Sequence, residues 1–202
     1  ADGASTANAQ GEVYLTDVVA LARDHGPVRA HEISDSILVE GVNDRVQLAA
    51  LGAELNRRVL ERWMRAGVSV VDPASTWVDV SVTLEQDVML LPGVHLAGTT
   101  HVASGASIGP DTTLTDTSVE AGASVVRSHV AGSQIGEGVK VGPYTHLRPG
   151  TVLRERSAIG AFAETKNAEL GAGAKVPHLT YVGDAVVGPA TNIGAGVITA
   201  NY

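Results

Sequence analysis

Two cationic residues, Arg148 and Lys166, have a spacing that favours an anion site. They are eighteen residues apart, and each directly follows an inward position of a repeating pattern, Leu147 or Thr165. If the chain coils back on itself every eighteen residues, the two cations lie about 5 Å apart at the backbone. Like charges this close repel by about 1 kcal/mol in water and by several kcal/mol near a protein surface. An anion between them turns repulsion into attraction, and an arginine fork beside a lysine ammonium suits phosphate. The alternative is two solvated cations that splay apart.

A histidine, His178, lies in the segment KVPHLTYVGDA (175–185). Histidine can accept a proton near neutral pH, as a general base must. The chain contains seven histidines, so an ordinary surface role is the alternative. Tyr181 follows three residues later, in a chain with few aromatic residues. Asn192 and Asn201 are either stacked ladder residues or hydrogen-bond donors to a substrate.

These residues belong to a stretch in which an apolar residue recurs at almost every sixth position. A small or β-branched residue, such as Thr100, Thr112 or Ser118, follows about four positions later. The apolar positions are Val78, Leu84, Leu90, Leu96, Val102, Ile108, Leu114, Val119, Val125, Ile135, Val141, Leu147, Leu153, Ile159, Leu170, Val176, Val182, Val187 and Ile193. A period of six fits neither a helix nor an uninterrupted amphipathic strand. It is typical of hexapeptide repeats in a parallel β-helix.

The pattern therefore predicts a mainly β chain whose coils of about eighteen residues have three sides and stack into a common core. The period slips near Val119, between Val130 and Ile135, and at Leu170 and Val187, so the assignment of faces across these points is open. The slip around 127–134 is alternatively a small loop.

Composition agrees with a thin solenoid core, because aromatic residues are only 3% of the chain and glycine occurs 23 times. The net charge of −8 argues against a sequence-independent nucleic-acid binder. We expect neither a transmembrane span nor a signal peptide. The absence of cysteine excludes disulfides and thiolate metal sites, and fits a cytoplasmic protein.

The segment before the solenoid predicts a helix over 12–25, a short strand over 28–33 and a long second helix. Asn43 or Asp44 can cap this second helix, which ends near Ala66 with Gly67 as its stop signal. One apolar stripe indicates that the helix lies on another part of the protein; it consists of Leu48, Leu51, Leu55, Val59 and Trp63.

Two other classes of solenoid compete with a transferase. A zinc hydrolyase of the gamma-carbonic-anhydrase type would use histidines, and candidates are His95, His101, His129 and His146. Because His95 and His101 are six residues apart, they fall on different faces, which weakens this alternative. A non-catalytic structural solenoid would need an array of identical residues that recurs from coil to coil, which the sequence lacks.

Five segments together resemble one family, the bacterial bifunctional N-acetylglucosamine-1-phosphate uridyltransferase / glucosamine-1-phosphate N-acetyltransferases. The segments are NAQGEVYLTD (8–17), EGVNDRVQL (40–48), RPG (148–150), VPHLTYVGDA (176–185) and NIGAG…NY (192–202). The resemblance implies an α/β nucleotidyltransferase remnant at 1–45, a linker helix at 46–66 and a truncated left-handed β-helix acetyltransferase domain at 67–202. It also implies a homotrimer in the cytoplasm.

The resemblance assigns roles to individual residues. His178 would be the general base on the amine of glucosamine 1-phosphate, with acetyl-CoA as co-substrate. The phosphate-sugar contacts would come from Arg148, Lys166, Tyr181 and Asn192, and the acetyl-CoA contacts from Ala195, Asn201 and Tyr202. Asn43 would be a Mg²⁺ ligand of the uridyltransferase site, which uses UTP.

Two departures from the family pattern limit the expected activity. The Gly-rich nucleotide loop and the aspartate that completes the Mg²⁺ site are absent, so we expect no uridyltransferase activity from this chain. The solenoid stops at Tyr202, before the coils and the arm that complete the acetyl-CoA site, so we expect weak or no acetyl transfer by the chain alone.

Overall fold

A computed structural model describes residues 6, 9–12 and 14–199. The chain divides into two compact units, Ala1–Asn43 and Asp44–Tyr202. Within the described residues, no helix combines the length and the apolar character needed to cross a bilayer.

The first unit contains two short helical elements, α1 (Asp17–Arg23) and a 3₁₀ helix (Ser36–Val39). The helix predicted over 12–25 is therefore shorter than expected. The strand predicted over 28–33 is wrong, because these residues are irregular. A strand needs a partner for its backbone groups, and none of the described residues of this unit forms one.

The second unit begins with the 21-residue helix α2 (Arg45–Arg65). Asp44 caps it as predicted, since its side chain accepts a hydrogen bond from the Gln47 amide at 2.8 Å. At the other end, Gly67 has φ +97° and its amide bonds to the Met64 carbonyl at 3.1 Å, which completes a glycine C-cap. The predicted apolar stripe is wrong at Leu48 and Leu55, which are more than half exposed.

The rest of this unit is built from short strands. In chain order they are β1 (Ser69–Val70), β2 (Trp77–Val78), β3 (Thr83–Leu84), β4 (Met89–Leu90), β5 (Val94–Ala97), β6 (His101–Val102), β7 (Ser107–Ile108), β8 (Thr112–Thr115), β9 (Ser118–Val119), β10 (Ser124–Val125), β11 (His129–Ala131), β12 (Gln134–Ile135), β13 (Lys140–Val141), β14 (His146–Leu147), β15 (Val152–Leu153), β16 (Ala158–Lys166), β17 (Glu169–Leu170), β18 (Lys175–Gly183) and β19 (Val186–Val187).

The strands stack in parallel into three faces. Face 1 consists of β1, β4, β7, β10, β13 and the first halves of β16 and β18. Face 2 consists of β2, β5, β8, β11, β14 and the second halves of β16 and β18, and face 3 of β3, β6, β9, β12, β15, β17 and β19. The fold is the predicted left-handed parallel β-helix, with about seven turns. We name its edges the 1–2, 2–3 and 3–1 corners after the faces that they join.

The core is the column of inward residues, and the six-residue pattern predicts it well. The repeating apolar residues from Val78 to Val187 are all less than 9% exposed, and Ile193 packs against them partly buried. Thr117, and not the predicted Ser118, takes one of the small inward positions.

The slips in the period are shortened coils. The pairing Leu114 with Val130 closes a coil in sixteen residues, and the pairing Val130 with Leu147 closes the next in seventeen. β11 lies within 127–134 and β12 begins at Gln134, so the alternative of a loop there is wrong. The coils absorb each deletion at a corner and keep the inward residues in register.

Candidate functional site

The 2–3 corner carries the two predicted cations, one above the other. Leu147 pairs with Thr165, and the Arg148 amide donates to the Thr165 carbonyl at 2.9 Å. Arg148 and Lys166 therefore occupy equivalent positions of successive coils, as the spacing predicted.

The two cations differ in their partners. Arg148 Nη1 donates to Glu164 Oε1 at 3.1 Å, which makes a half-exposed ion pair. Lys166 is exposed, and no carboxylate of the described residues lies within ion-pair distance of its ammonium. The corner thus offers one positive charge that is already oriented and one that is free for an external anion. Glu164, which the sequence analysis did not single out, could have been found from its outward position two residues before Lys166.

Tyr181 extends the same corner by one coil. In the stack, Gly183 pairs with Lys166 and Tyr181 pairs with Glu164. A Cβ placed on Gly183 would collide with the hydroxyl and the ring edge of Tyr181. The phenol therefore lies across the glycine, directly above the position of Lys166. A guanidinium, an ammonium and a phenol hydroxyl are all hydrogen-bond donors to a phosphate oxygen.

The predicted base, His178, lies at the opposite edge of face 2, in the 1–2 corner. It is exposed and pairs in register with Ala161 of the preceding coil. Gly183 follows it five positions later on β18, so the two corners are at most about 16 Å apart along the strand. His178 and the cationic corner lie at the two edges of face 2. The outer surface of face 2 between them is where a small substrate could lie.

Two further predicted residues lie in the last, incomplete coil. Lys175 pairs with Asn192, and Tyr181 pairs with Ile198. Because both partners are seventeen residues apart, Ala195 occupies in the last coil the position that His178 occupies in the coil before. Ala195 therefore adjoins the histidine, as a co-substrate contact requires. Asn192 lies on face 1, around the corner from Tyr181, so it approaches the site from the side of His178.

Asn201 and Tyr202 lie outside the described residues. Asn43 ends the first unit, next to the helix cap Asp44.

The histidines that could suggest zinc are distributed over two faces. His95 lies on β5 of face 2 and His101 on β6 of face 3, as their spacing predicted. His129 and His146 lie in successive coils of face 2, with ring centroids 5.5 Å apart in an edge-to-face arrangement. In the described part of the chain, no three or more histidine, cysteine, aspartate or glutamate side chains are grouped so that they could hold a metal ion.

The candidate site is an open surface of a single chain. A cleft of about 490 Å³ does occur, but it lies between α2 and the first coil, where Leu60, Met64, Pro73 and Trp77 line it. Six coils separate that end of the solenoid from His178. The cationic corner, the phenol and the histidine thus lie on one open surface.

Comparison with curated proteins gives matches over nearly the whole chain, although no family model matches it. The bifunctional protein GlmU of Rhodococcus opacus is 63% identical over 196 residues, which are 96% of this chain and 39% of that protein. The GlmU of Pseudarthrobacter chlorophenolicus is 62% identical over 199 residues, which are 98% of this chain and 40% of that protein. These matches confirm the resemblance predicted from the motifs. The chain spans about two fifths of the length of these relatives.

Two solved structures resemble the fold more remotely. The acetyltransferase domain of PglB from Neisseria gonorrhoeae has a TM-score of 0.46 and 17% identity, and the match covers 56% of this chain and 58% of that one. PerB from Caulobacter crescentus, solved with CoA and GDP-perosamine, has a TM-score of 0.30 and 20% identity over 74% of this chain and 61% of that one. Both likenesses are too remote to bear on function.

Proposed function

We propose, from the similarity to GlmU proteins, that the solenoid transfers an acetyl group from acetyl-CoA to the amine of glucosamine 1-phosphate. The observation that carries this proposal is the 2–3 corner, where Arg148, the unpaired Lys166 and the Tyr181 ring beside Gly183 follow one another in successive coils. A sugar phosphate held there by its phosphate would extend its amine across face 2 toward His178.

The chemical step that we propose is direct acyl transfer. The neutral amine nitrogen attacks the thioester carbonyl, so that an N–C bond forms and the C–S bond breaks. His178 takes the proton that the nitrogen loses, and the CoA thiolate leaves and is reprotonated. His178 is exposed at the edge of the face, which leaves its ring nitrogens accessible to a bound amine.

The phosphate contacts would act mainly by positioning. Glu164 orients the Arg148 guanidinium before the phosphate binds. This reduces the entropy that is lost when the guanidinium holds the phosphate. Asn192 and Ala195 would border the amine and the acetyl group from the last coil. Asn201 and Tyr202 would complete the acetyl-CoA contacts.

For the whole protein we propose the second activity of its relatives, uridyl transfer from UTP to N-acetylglucosamine 1-phosphate. Residues 1–45 would be the end of that domain, 46–66 the linker helix and 67–202 the acetyltransferase domain. Asn43 alone does not fit a Mg²⁺ site, because magnesium demands near-octahedral oxygen coordination. We therefore assign no uridyltransferase step to this chain.

The wider setting follows from the same resemblance. We propose a cytoplasmic homotrimer that supplies an activated amino sugar for peptidoglycan synthesis, and hence for cell-wall biogenesis and cell shape. The lack of cysteine fits the reducing cytoplasm.

Ligand binding by the chain of 202 residues tests the anion corner. Isothermal titration with glucosamine 1-phosphate should give binding that Arg148→Ala and Lys166→Ala each weaken about tenfold or more, since a charge-assisted hydrogen bond contributes about 1.5–3 kcal/mol. The matched control is Arg154→Ala, which removes an arginine paired with Glu169 on face 3 and should leave binding unchanged. Equal affinity in all four proteins would contradict the proposed site.

We would test acetyl transfer on a longer protein, in which the chain is extended at both ends with the corresponding segments of the Rhodococcus opacus relative. Release of the CoA thiol should depend on glucosamine 1-phosphate and fall at least a hundredfold in His178→Ala. Unaltered transfer in that variant would remove His178 from its role as base. Rates of the isolated chain close to those of the extended protein would contradict the expectation that the chain alone is weakly active or inactive.

A further inference from the structure

Two histidines lie next to each other on the outer surface of face 2. His129 of β11 pairs in register with His146 of β14. The residues on either side of each histidine are buried, so both histidine side chains point away from the core, where they are exposed. The same outward column contains Thr113 in the coil before and Glu164 in the coil after.

The two imidazole rings have nearly the separation that a shared metal ion requires. Their centroids are 5.5 Å apart and their planes form an angle of 62°. Two imidazoles whose nitrogens lie about 2.0–2.1 Å from one tetrahedral ion have centroids about 5 Å apart. Because both side chains are exposed, small rotations about their χ angles can close this difference.

The ring nitrogens of this pair are available to an external ligand. Within residues 6, 9–12 and 14–199, neither ring has a hydrogen-bond or ion-pair partner. His101 on face 3 differs, because its Nδ1 lies 2.9 Å from Thr83 Oγ1 and its Nε2 lies 3.8 Å from Glu85 Oε1. Face 2 therefore holds two imidazoles side by side that are not bound to other side chains of the described chain.

The charges around the pair do not oppose a cation. Glu164 follows His146 in the outward column, and its Oε1 accepts a hydrogen bond from Arg148 at 3.1 Å. Arg127, two residues before the other histidine, donates to Asp111 Oδ2 at 2.6 Å. Both arginines near the pair are thus neutralised by a carboxylate, and a bound dication would lie one coil away from the Glu164 carboxylate.

We infer that His129 and His146 form an exchangeable binding site for a divalent transition metal ion such as Zn²⁺, Ni²⁺ or Cu²⁺. Imidazole nitrogen is a good ligand for these ions, whereas Mg²⁺ and Ca²⁺ prefer oxygen. Catalytic and structural zinc sites use three or four protein ligands. With two, the remaining positions belong to water, and we assign the ion no chemical step.

The physical effect of such an ion is to connect two coils. Coils of a solenoid touch only their neighbours, and the two histidines lie on neighbouring coils, so the ion adds a contact along the axis. An ion that binds the folded chain and not the unfolded one also stabilises the fold by mass action. The inference does not depend on the proposed function, because it uses neither the cationic corner nor His178.

Isothermal titration of the 202-residue chain with ZnCl₂ tests the site. We expect one Zn²⁺ per chain, and binding that His129→Gln and His146→Gln each weaken about tenfold or more. Both side chains are exposed, so glutamine does not endanger the core. The matched control is His95→Gln, which should bind Zn²⁺ as the unmodified chain does. His95 lies in the same outward column, but its neighbours are Trp77 and Thr113.

Thermal unfolding gives a second measurement. At Zn²⁺ concentrations about a hundredfold above Kd, the melting temperature of the unmodified chain and of His95→Gln should rise by about 5–10 °C, and that of the other two variants should not. Mg²⁺ should shift none of them. Equal Zn²⁺ affinity in all four proteins would overturn the inference, because binding would then come from scattered histidines. One ion per two chains would also overturn it, because the ion would then join two copies and not two coils.

Discussion

Asn56 of α2 closes the open end of the solenoid, and its removal should destabilise the second unit. The first coil has no preceding coil to pair with, and an unpaired strand edge is costly when covered. Asn56 is 9% exposed; its Nδ2 donates to the Thr76 carbonyl at 2.8 Å and its Oδ1 accepts from the Val78 amide at 3.0 Å. The side-chain amide therefore replaces the backbone of a missing coil.

The structure sets the expected size of the effect. In Asn56→Ala, the Thr76 carbonyl and the Val78 amide lose their partners beneath the helix, where both residues are buried. Each buried backbone group left without a hydrogen bond costs about 1–3 kcal/mol. Since water entering the gap left by the truncated side chain can satisfy one of the two, one group stays without a partner, and we expect the free energy of unfolding to fall by about 1–3 kcal/mol.

Urea unfolding followed by circular dichroism measures this loss. The control is Leu55→Ala, the neighbouring position on the same helix, whose side chain is 53% exposed and should contribute less than about 1 kcal/mol. Asn56→Asp keeps an acceptor for Val78 but turns an oxygen toward the Thr76 carbonyl, so it should be no more stable than Asn56→Ala. A loss for Asn56→Ala no larger than that of the control would refute the view that Asn56 acts as a cap.

Two further predictions concern the site and the linker helix. Gly183→Ala should displace the Tyr181 ring, because the new Cβ would meet it. We expect glucosamine 1-phosphate to bind about two- to tenfold more weakly, and the melting temperature to stay nearly constant because the ring can swing away. Unchanged calorimetric affinity would argue against a Tyr181 contact. Hydrogen bonds from Arg57 and then Arg58 lower the pKa of Glu54 from its ordinary 4.5 to about 2. This carboxylate therefore stabilises the fold above about pH 4.5, and the stabilisation is lost as the pH falls toward 2. Melting temperatures of Glu54→Gln should accordingly fall less steeply between pH 5 and 2 than those of the unmodified chain, and parallel curves would contradict the assignment.

The core could be predicted because each buried position repeats, whereas single elements without a repeat could not. Every coil places its inward residues at the same positions. A residue that is assigned wrongly in one coil can therefore be recognised from the pattern of the next coil. Helix α2 has no such redundancy. Its apolar residues Leu48 and Leu55 suggested the buried face, but contact with the first coil instead selects Asn56, Val59 and Leu60, because the open strand edge needs a polar group. That requirement comes from the coil below and is not visible in the helix sequence.

The candidate site could be predicted where it depends on coil length and not where it depends on side-chain direction. The interval of eighteen residues between Arg148 and Lys166 was enough to stack them. The ion pair of Arg148 with Glu164 and the position of Tyr181 over Gly183 depend on rotamers and on the absence of a Cβ. The spacing marks Glu164 as an outward neighbour of Lys166, but it fixes neither the ion pair nor the direction of the Tyr181 ring.

The width of face 2 separates the two ends of the site. In a solenoid each coil touches only its neighbours, so the distance between the cationic corner and His178 is set by the width of face 2 and by the number of coils between them. The coil from Leu147 to Thr165 takes eighteen residues and the coil from Thr165 to Val182 takes seventeen. Face 2 stays in register in both, because the residue is lost in the 2–3 corner, between Thr165 and Glu169. A residue deleted within face 2 would instead reverse which side chains point outward. The backbone repeat therefore sets the distance between the cationic corner and His178. A side chain can be changed at one of the two corners without a shift in the position of the other corner.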